Sequence, residues 1–241
     1  VIMYTNIYKG IFIKRLNRFL ALVHVNNALE LIHVKNTGRC LEILQPGVLC
    51  YLEKSNNPNR KTKYSLISVE KNDALINIDS QITNEIIYNS IKSKELLAYL
   101  KPKNLKREVV YGSSRFDISF FSQSQEKQYY LEVKGVTLEE NGIAKFPDAP
   151  TTRGTKHLKE LIDAKTKGYG AIILFLVQME NVDYFTPNYI RDSKFCKALK
   201  EAKKDGVIVL AYNTKISSTN IEFYKEIPVI FNEEYSHNIR I

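Results

Sequence analysis

The sequence predicts a two-domain protein, with a small all-β barrel over residues 1–80 and a mixed α/β sheet flanked by helices over residues 81–241. Three observations predict this fold class. Short apolar runs divided by turn residues fill the first part of the chain. Beyond it, three segments repeat apolar residues at helical spacing. Strand patterns lie between and after those segments, as expected for helices covering a sheet.

The first domain is predicted from its short strands and the turns between them. Turn residues stand at Asn26-Asn27, Asn36-Thr37-Gly38 and Pro46-Gly47. Strand candidates lie within Gly10–Val25 and at Ala28–Val34, Val48–Glu53, Tyr64–Glu70 and Ala74–Ile78. Strands this short and this closely spaced suit a small barrel, of which the OB (oligonucleotide/oligosaccharide-binding) type is one.

The second domain is predicted to follow the order α-β-β-β-α-β-α-β. The helices are expected at Thr83–Lys92, from about Thr155 to Lys167, and at Ser193–Lys204. Thr83 or Asn84 is the expected N-cap of the first helix and Asp192 that of the third. The strands are expected at Arg107–Tyr111, Arg115–Phe121, Gln128–Val136, Ala171–Val177 and Val207–Tyr212. The polar tail after Phe231 is expected to fray.

Composition places the chain among globular proteins, with 44% apolar and 25% charged residues. No apolar run approaches the roughly 20 residues that span a bilayer, and no secretory signal pattern stands at the N-terminus. Cys40, Cys50 and Cys196 lack metal-site spacing, and their odd number argues against a disulfide scaffold. We therefore expect buried structural cysteines, a reducing cytoplasmic location and no membrane partner.

The charge balance is basic, with a formal net charge of +9. A positive field attracts polyanions, so nucleic acid is the expected partner class. The alternative is a basic proteome, because the lysine, asparagine and isoleucine usage is typical of an AT-rich genome, which raises lysine content without a functional reason.

Two strand candidates carry a pattern of acids and a lysine. Asp117 lies in the first, and Glu132 and Lys134 lie in the second, where alternation puts them on one face. If the strands are adjacent, the two carboxylates repel each other unless a cation separates them, and Mg²⁺ or Mn²⁺ suits such oxygen ligands. Lys134 could then activate a water molecule or stabilise charge on a phosphate.

The order of elements around these residues favours that interpretation. An acid on the second strand and acid-X-lysine on the third, after a helix, is the arrangement of the PD-(D/E)XK nucleases. Glu108, on the preceding strand, is a possible third metal ligand, or it pairs with a nearby arginine. The competing interpretation of the whole pattern is a solvated cross-strand charge pair.

Basic residues near the barrel turns predict a DNA-facing surface, because arginine matches phosphate with a planar fork. The predicted contacts in the barrel are Arg15, Arg18, Asn36, Arg39, Arg60 and Lys61. A scattered solvated surface is the alternative for each. Four aromatic residues could stack bases or pack in the core: Phe12, Phe19, Tyr51 and Tyr64.

The start of the second helix of the α/β domain is a further predicted phosphate contact. Helix N-termini present unpaired N–H groups and a positive dipole end. Arg153, Lys156 and His157 lie there and would add to this attraction. A structural role is the alternative for His157.

Several segments closely resemble the sugar fermentation stimulation protein A family. The resemblance covers about residues 8 to 230. It departs from the family pattern at His33-Val34-Lys35, where many relatives carry His-Cys-Pro, at Arg39-Cys40, where many carry Ser-Met, and at Asn89, where glutamate is frequent. The matching segments are Lys14–Ala21, the Asn36-Thr37-Gly38 turn, Asn57–Lys61, Tyr111–Asp117, Leu131–Leu138 and Phe146–Leu158.

This resemblance implies an N-terminal OB-like domain, a C-terminal PD-(D/E)XK-like domain and non-specific DNA binding, with a regulatory link to sugar (maltose) metabolism. Two hypotheses follow. One is a non-enzymatic DNA-binding protein that uses a nuclease fold, and the other is a Mg²⁺-dependent nuclease. The sequence leaves strand preference and oligomeric state open.

Overall fold

A computed structural model describes residues 1–231 of the chain. The tail predicted to fray lies outside these described residues. The chain opens with β1 (Ile2–Met3), which pairs with the last strand of the α/β domain rather than with the barrel. The N-terminus therefore ties the two domains together.

The first domain is a closed five-stranded barrel, as predicted. Its strands are β2 (Ile7–Arg15), β3 (Leu20–Val25), β4 (Ala28–Val34), β5 (Leu49–Lys54) and β6 (Tyr64–Lys71), and β7 (Ala74–Asn77) pairs with β6. A parallel pairing of β4 with β6 closes the barrel. Gly10 permits a close approach inside it, since a Cβ there would lie 2.5 Å from Val23 Cγ1.

The second domain is built on a mixed sheet, as predicted, but the described residues place seven strands in it rather than the five expected. Besides β1, its strands are β8 (Pro102–Tyr111), β9 (Ser114–Ser122), β10 (Lys127–Val136), β13 (Gly170–Val177), β15 (Ile208–Ile216) and β16 (Asn220–Glu226). Their order across the sheet is β1-β16-β15-β13-β10-β9-β8. Strand β10 is antiparallel to β9 and parallel to β13, which places it near the centre of the sheet.

Helices cover both faces of this sheet. Helix α1 (Thr83–Lys92) packs in one hydrophobic cluster, and α2 (Thr152–Thr166) and α3 (Ser193–Lys204) pack in the other. A short 3₁₀ helix, Ala98–Leu100, follows α1. Asp192 caps α3 as predicted, accepting a hydrogen bond from Phe195 N at 3.0 Å.

The predicted cap of α1 is wrong. Its N-cap position is Ile82, and no side chain within residues 1–231 caps the helix. The hydroxyl of Thr83 donates to the Ser80 carbonyl, and the amide of Asn84 donates to Asp117. Both candidate residues therefore use their side chains elsewhere.

A small sheet lies beside the α/β domain and was not predicted. It comprises β11 (Leu138–Glu140), β12 (Ile143–Phe146) and β14 (Tyr184–Pro187), with β12 in the middle. Strands of three or four residues carry too few positions for an alternation pattern to be read.

A buried polar seam joins the two domains. Gln178 Nε2 donates to Asn77 Oδ1 at 3.0 Å and to the Asp79 carbonyl at 3.1 Å. Asp148 Oδ2 accepts a hydrogen bond from Cys40 N at 3.3 Å. One hydrophobic cluster also runs from Phe12 in the barrel to core residues of β13, so the domains share a core.

The three cysteines are buried and unpaired, as predicted for structural residues. Burial raises the pKa of each thiol to about 12, which keeps the thiols protonated and unreactive near neutral pH. Across residues 1–231, no helix has the length and apolar character needed to cross a membrane.

Candidate metal and nucleic-acid site

Asp117 and Glu132 are brought together by adjacent strands, which confirms the pairing on which the site prediction depends. The β9–β10 ladder includes Leu131 opposite Ile118 and continues toward Asp117 and Glu132. The Asp117 carboxylate accepts hydrogen bonds from Val133 N and Asn84 Nδ2, each at 2.7 Å. Both of its oxygens are therefore held in place by donors from β10 and α1.

The carboxylate of Glu132 is held on one side only. Glu132 is 2% exposed. Its Oε1 accepts a hydrogen bond from Lys134 Nζ at 2.5 Å and a second, short one from His157 Nδ1. Its Oε2 is buried and has no hydrogen-bond partner among the described residues. A buried carboxylate oxygen without a donor is costly, so this atom is suited to a cation or a water molecule.

His157 positions Glu132 and does not face solvent. The ring is 3% exposed, which contradicts its predicted contact with phosphate. The hydrogen-bond network assigns the ring proton to Nδ1, which donates to Glu132, while Nε2 accepts from Arg153 Nε at 3.4 Å. Helix α2 thus presents a histidine whose hydrogen bond orients the carboxylate, as hydrogen bonds to ligating groups orient them at metal sites.

The two carboxyl groups have pKa values shifted in opposite directions. Burial, followed by the repulsion of Glu132, raises the pKa of Asp117 to about 6. Burial also acts to raise the pKa of Glu132, but the His157 hydrogen bond and the charge of Lys134 outweigh it, so that pKa lies below its ordinary value. At neutral pH both groups are ionised, and the charge on Asp117 is the less stable of the two.

We expect Asp117→Asn to stabilise the metal-free protein at neutral pH. The pKa of Asp117 is raised from 3.8 to about 6 in the folded state. Ionisation of Asp117 therefore lowers the free energy of unfolding fully above pH 6, and this cost disappears below the pKa that aspartate has in the unfolded chain. The shift corresponds to about 3 kcal/mol. Asparagine loses one of the two accepted hydrogen bonds, so the expected gain is about 1–2 kcal/mol.

Urea unfolding in EDTA at neutral and acid pH measures this effect. The stability advantage of Asp117→Asn over wild type should shrink as the pH falls toward the unfolded-state pKa of aspartate and below it. The wild-type carboxyl then becomes protonated in the folded and the unfolded state alike. An advantage that is the same at both pH values would rule out relief of this charge as its cause.

Glu108 does not join the two acids, so its predicted metal role is corrected. Its carboxylate forms a salt bridge with Arg115 Nε at 2.7 Å, and both side chains are at least half exposed. The backbone at Glu108 lies in the left-handed region, with φ 54°. The structure thus supports the alternative pairing with an arginine.

Asp117 and Glu132 are the two carboxylates of the site, and the ring of His157 donates its Nδ1 hydrogen bond to Glu132. Across residues 1–231, no group of three aspartate, glutamate, histidine or cysteine side chains is placed to hold a metal ion. Asp117 and the unpartnered oxygen of Glu132 are hard oxygen donors, which suit a cation that retains most of its own water ligands. The residues present therefore fit weak binding of Mg²⁺ or Mn²⁺.

Arg15 organises the barrel loops and is not available for phosphate, which corrects its predicted role. All five of its guanidinium N–H groups donate to backbone carbonyls. The acceptors are the carbonyls of Asn17, Arg18, Asn36, Gly38 and Arg39, at distances of 2.5–3.2 Å. This one side chain joins the β2–β3 hairpin to the turn after β4.

Asn36 is likewise structural, contrary to its predicted contact with DNA. It is 8% exposed; its amide donates to the Ile78 carbonyl at 3.0 Å, and its Oδ1 accepts from Gly38 N at 2.7 Å. Arg60 is partly committed, since Nη2 donates to Ser65 Oγ at 2.9 Å.

Other predicted contacts are exposed and remain predictions. Arg18, Arg39 and Lys61 are exposed on the barrel, and Arg153 and Lys156 are exposed at the start of α2. Within the described chain, Arg18 and Arg39 donate no side-chain hydrogen bond to another residue. Lys156 Nζ lies 3.4 Å from the Ser113 carbonyl and 3.9 Å from Glu160, contacts that a phosphate could replace.

Three of the four candidate stacking aromatics belong to the core. Phe12, Tyr51 and Tyr64 are buried at 1%, 7% and 5% exposure, whereas Phe19 is 53% exposed. The sequence interpretation also missed Asn84 as a partner of Asp117. Its position at the start of a helix indicated a cap, and only the tertiary fold shows the alternative.

Fold and site together define a class: two-domain proteins in which an OB barrel precedes a mixed sheet flanked by helices, with an acid on one strand and an acid-X-lysine motif on the next. Two family models match the chain, the "SfsA N-terminal OB domain" over residues 13–78 and the "Sugar fermentation stimulation protein RE domain" over residues 81–220. The chain belongs to the sugar fermentation stimulation protein family.

Individual relatives agree with this assignment. A sugar fermentation stimulation protein homolog of Clostridium tetani is 51% identical over 230 residues, which cover 95% of this chain and all of that protein. The homolog of Clostridium perfringens is 48% identical over 224 residues, 93% of this chain and 97% of its own. The structure of Pyrococcus furiosus SfsA in complex with Ca²⁺ is similar, with a TM-score of 0.86, 30% identity and coverage of 95% of this chain and 98% of that one.

Proposed function

We propose that this protein binds DNA non-specifically in the cytoplasm and holds Mg²⁺ or Mn²⁺ between Asp117 and Glu132. The observation that carries the metal part is the buried Glu132 Oε2, which has no hydrogen-bond partner within residues 1–231 while two donors hold Oε1. A similar protein of known structure is described in complex with Ca²⁺, another oxygen-preferring cation. The net charge of +9 and the exposed arginines support attraction to phosphate.

A regulatory link to sugar (maltose) metabolism, which the family resemblance implies, would act through this DNA binding. Non-specific binding rests on phosphate contacts, which carry no sequence information themselves. The exposed residues Arg18, Arg39, Lys61, Arg153 and Lys156 would supply these contacts. Affinity should therefore fall steeply as salt rises.

Thermal melting in a Mn²⁺ series tests the metal site. At a Mn²⁺ concentration about 100 times the Kd, binding raises the free energy of unfolding by about 2.7 kcal/mol. In a protein of this size that corresponds to a rise in Tm of about 5–10 °C. We expect wild type to show this rise and Asp117→Asn to show none.

Glu108→Gln is the matched control, because it removes the same charge from a carboxylate that the structure places outside the site. It should retain the full Mn²⁺ response. Equal responses of wild type and Asp117→Asn would rule out the proposed metal site, whatever the response of the control.

Phosphodiester hydrolysis is the second candidate function, and Lys134 is the observation that favours it. Its ammonium lies 2.5 Å from Glu132 Oε1 and is 15% exposed, so it is a cation beside the proposed metal ligands. A bound metal would supply Lewis acidity toward a phosphate oxygen. Lys134 would stabilise negative charge on the phosphate or orient the attacking water.

A cleavage assay on single-stranded and duplex DNA with Mg²⁺, Mn²⁺ or EDTA separates the two functions. Metal-dependent cleavage that Lys134→Ala removes, while the Mn²⁺ melting response remains, supports a nuclease. A melting response that needs Asp117, with no cleavage of any substrate, supports a binding protein.

A further inference from the structure

Three exposed apolar side chains lie beside the arginines of the barrel loops. Leu16 is 47%, Phe19 53% and Leu41 61% exposed. We call these three residues the loop platform. Leu16 and Leu41 line an open groove of about 320 Å³ together with Arg18 and Arg39. The Arg18 guanidinium lies 6.0 Å from the centre of the Phe19 ring.

The backbone that carries the platform is held in one arrangement. Arg15 bonds the carbonyls of Asn17, Arg18 and Arg39, among others, and so joins the two loops. Phe19 is anchored through its backbone, because Val34 N donates to its carbonyl at 2.8 Å. Its ring takes no part in that anchoring. The fold therefore presents an aromatic face and two arginines to solvent on a prearranged support.

The groove continues into a cleft between the two domains. This cleft, about 470 Å³, is also lined by Arg18, Thr37, Gly38 and Arg39. From the α/β domain the cleft is lined by Gly135, the residue after Lys134 on β10, and by Asp148, whose carboxylate contacts the barrel loop at Cys40 N. The volume falls in the range of pockets that enclose a small ligand, roughly 300–1,000 Å³, which suits a nucleotide unit and not a duplex.

We infer that the loop platform binds unpaired nucleotides of single-stranded DNA, whose bases stack on Phe19 and whose phosphates contact Arg18 and Arg39. From there the strand enters the cleft and runs toward Asp117, Glu132 and Lys134. The inference rests on the proposed DNA binding and adds its strand preference. The chemistry matches general single-strand recognition, in which aromatic side chains stack bases and a positive groove follows the backbone.

Fluorescence anisotropy with labelled oligothymidine and a duplex of equal length, at the same salt concentration, tests this inference. Wild type should bind the single strand more tightly. Phe19→Ala should weaken binding of oligothymidine by about 5- to 140-fold, the range that loss of one stacked base gives, and change duplex binding by less than about twofold. Phe19→Trp, which keeps an aromatic face, should retain single-strand affinity.

Leu29→Ala is the matched control. Leu29 is 54% exposed on β4 of the same barrel, so its substitution removes a similar exposed apolar surface away from the platform. It should leave both affinities unchanged. Thermal melting of each variant checks that the barrel remains folded.

The outcomes separate this inference from the proposed function. Duplex binding equal to or tighter than single-strand binding overturns the inference alone, as does an equal loss on both substrates in Phe19→Ala. Binding to neither substrate overturns the proposed function and the inference with it. If Phe19→Ala instead changes the sedimentation of the protein alone and leaves DNA binding unaltered, the platform is a contact between copies and the inference is wrong.

Discussion

Replacing Arg15 by alanine should destabilise the protein by about 3–5 kcal/mol, since it removes the donors to five carbonyls that join two barrel loops. In a chain of this length, that loss lowers Tm by about 6–20 °C. Arg15→Lys should recover little of it, because an ammonium has three donors and lacks the planar fork that reaches all five acceptors. Urea unfolding and calorimetry measure both variants.

Arg18→Ala is the control for this prediction. Arg18 is a neighbour in the same hairpin, is exposed, and donates no hydrogen bond within residues 1–231, so its loss should change stability by less than about 0.5 kcal/mol. Its effect should appear instead in DNA binding, where the slope of log affinity against log salt should fall by about one unit. If Arg15→Ala were as stable as wild type and had a smaller slope of log affinity against log salt, Arg15 would be a DNA contact and its structural role would be wrong.

Replacing Glu132 by glutamine should abolish the Mn²⁺ response and also destabilise the metal-free protein, by about 3 kcal/mol. Removal of one partner from a buried ion pair leaves Lys134 and His157 without their charged acceptor. The pKa of Glu132 is depressed in the folded state, so its contribution is present above the unfolded pKa of glutamate and is lost as pH falls through the folded value. The difference from wild type should therefore be largest at neutral pH and shrink in acid.

In EDTA, Glu132→Gln is expected to lower the free energy of unfolding and Asp117→Asn to raise it. Both variants should lose the metal response. Glu108→Gln, which breaks an exposed salt bridge, should change stability by no more than about 1 kcal/mol. If Glu132→Gln proved as stable as wild type at neutral pH, the hydrogen bonds to Oε1 would not hold this carboxylate in its ionised form.

Regular elements with a long repeating pattern were predictable from the sequence. The bounds of β4, α1 and α3 agree with prediction, and so does the pairing of the strands that carry Asp117 and Glu132. Alternation along a strand and a period of 3.6 along a helix depend on local sequence alone. The fold class could be inferred for the same reason.

The partners of individual side chains were not predictable. Arg15 and Arg18 are both basic residues near a turn, yet one bonds five carbonyls and the other is exposed. That difference depends on where the turn after β4 lies in space. His157 likewise contacts Glu132 across 25 positions of sequence, a pairing that only the packing of α2 on the sheet produces. Charge pattern identifies candidate residues, and the fold assigns each its partner.

The seam of Asn77, Asp79 and Gln178, together with the shared core, holds the barrel and the sheet at one relative angle. A polymer that contacts both domains cannot then rely on rotation of one domain against the other and must itself adapt to the surface that they present. Duplex DNA resists bending over a persistence length of about 50 nm, and a sharp turn within one short site costs on the order of several kcal/mol. A single strand turns at each nucleotide at far lower elastic cost. The fixed junction would therefore favour binding of flexible over stiff nucleic acid, and it would do so through its geometry, independently of any base contact.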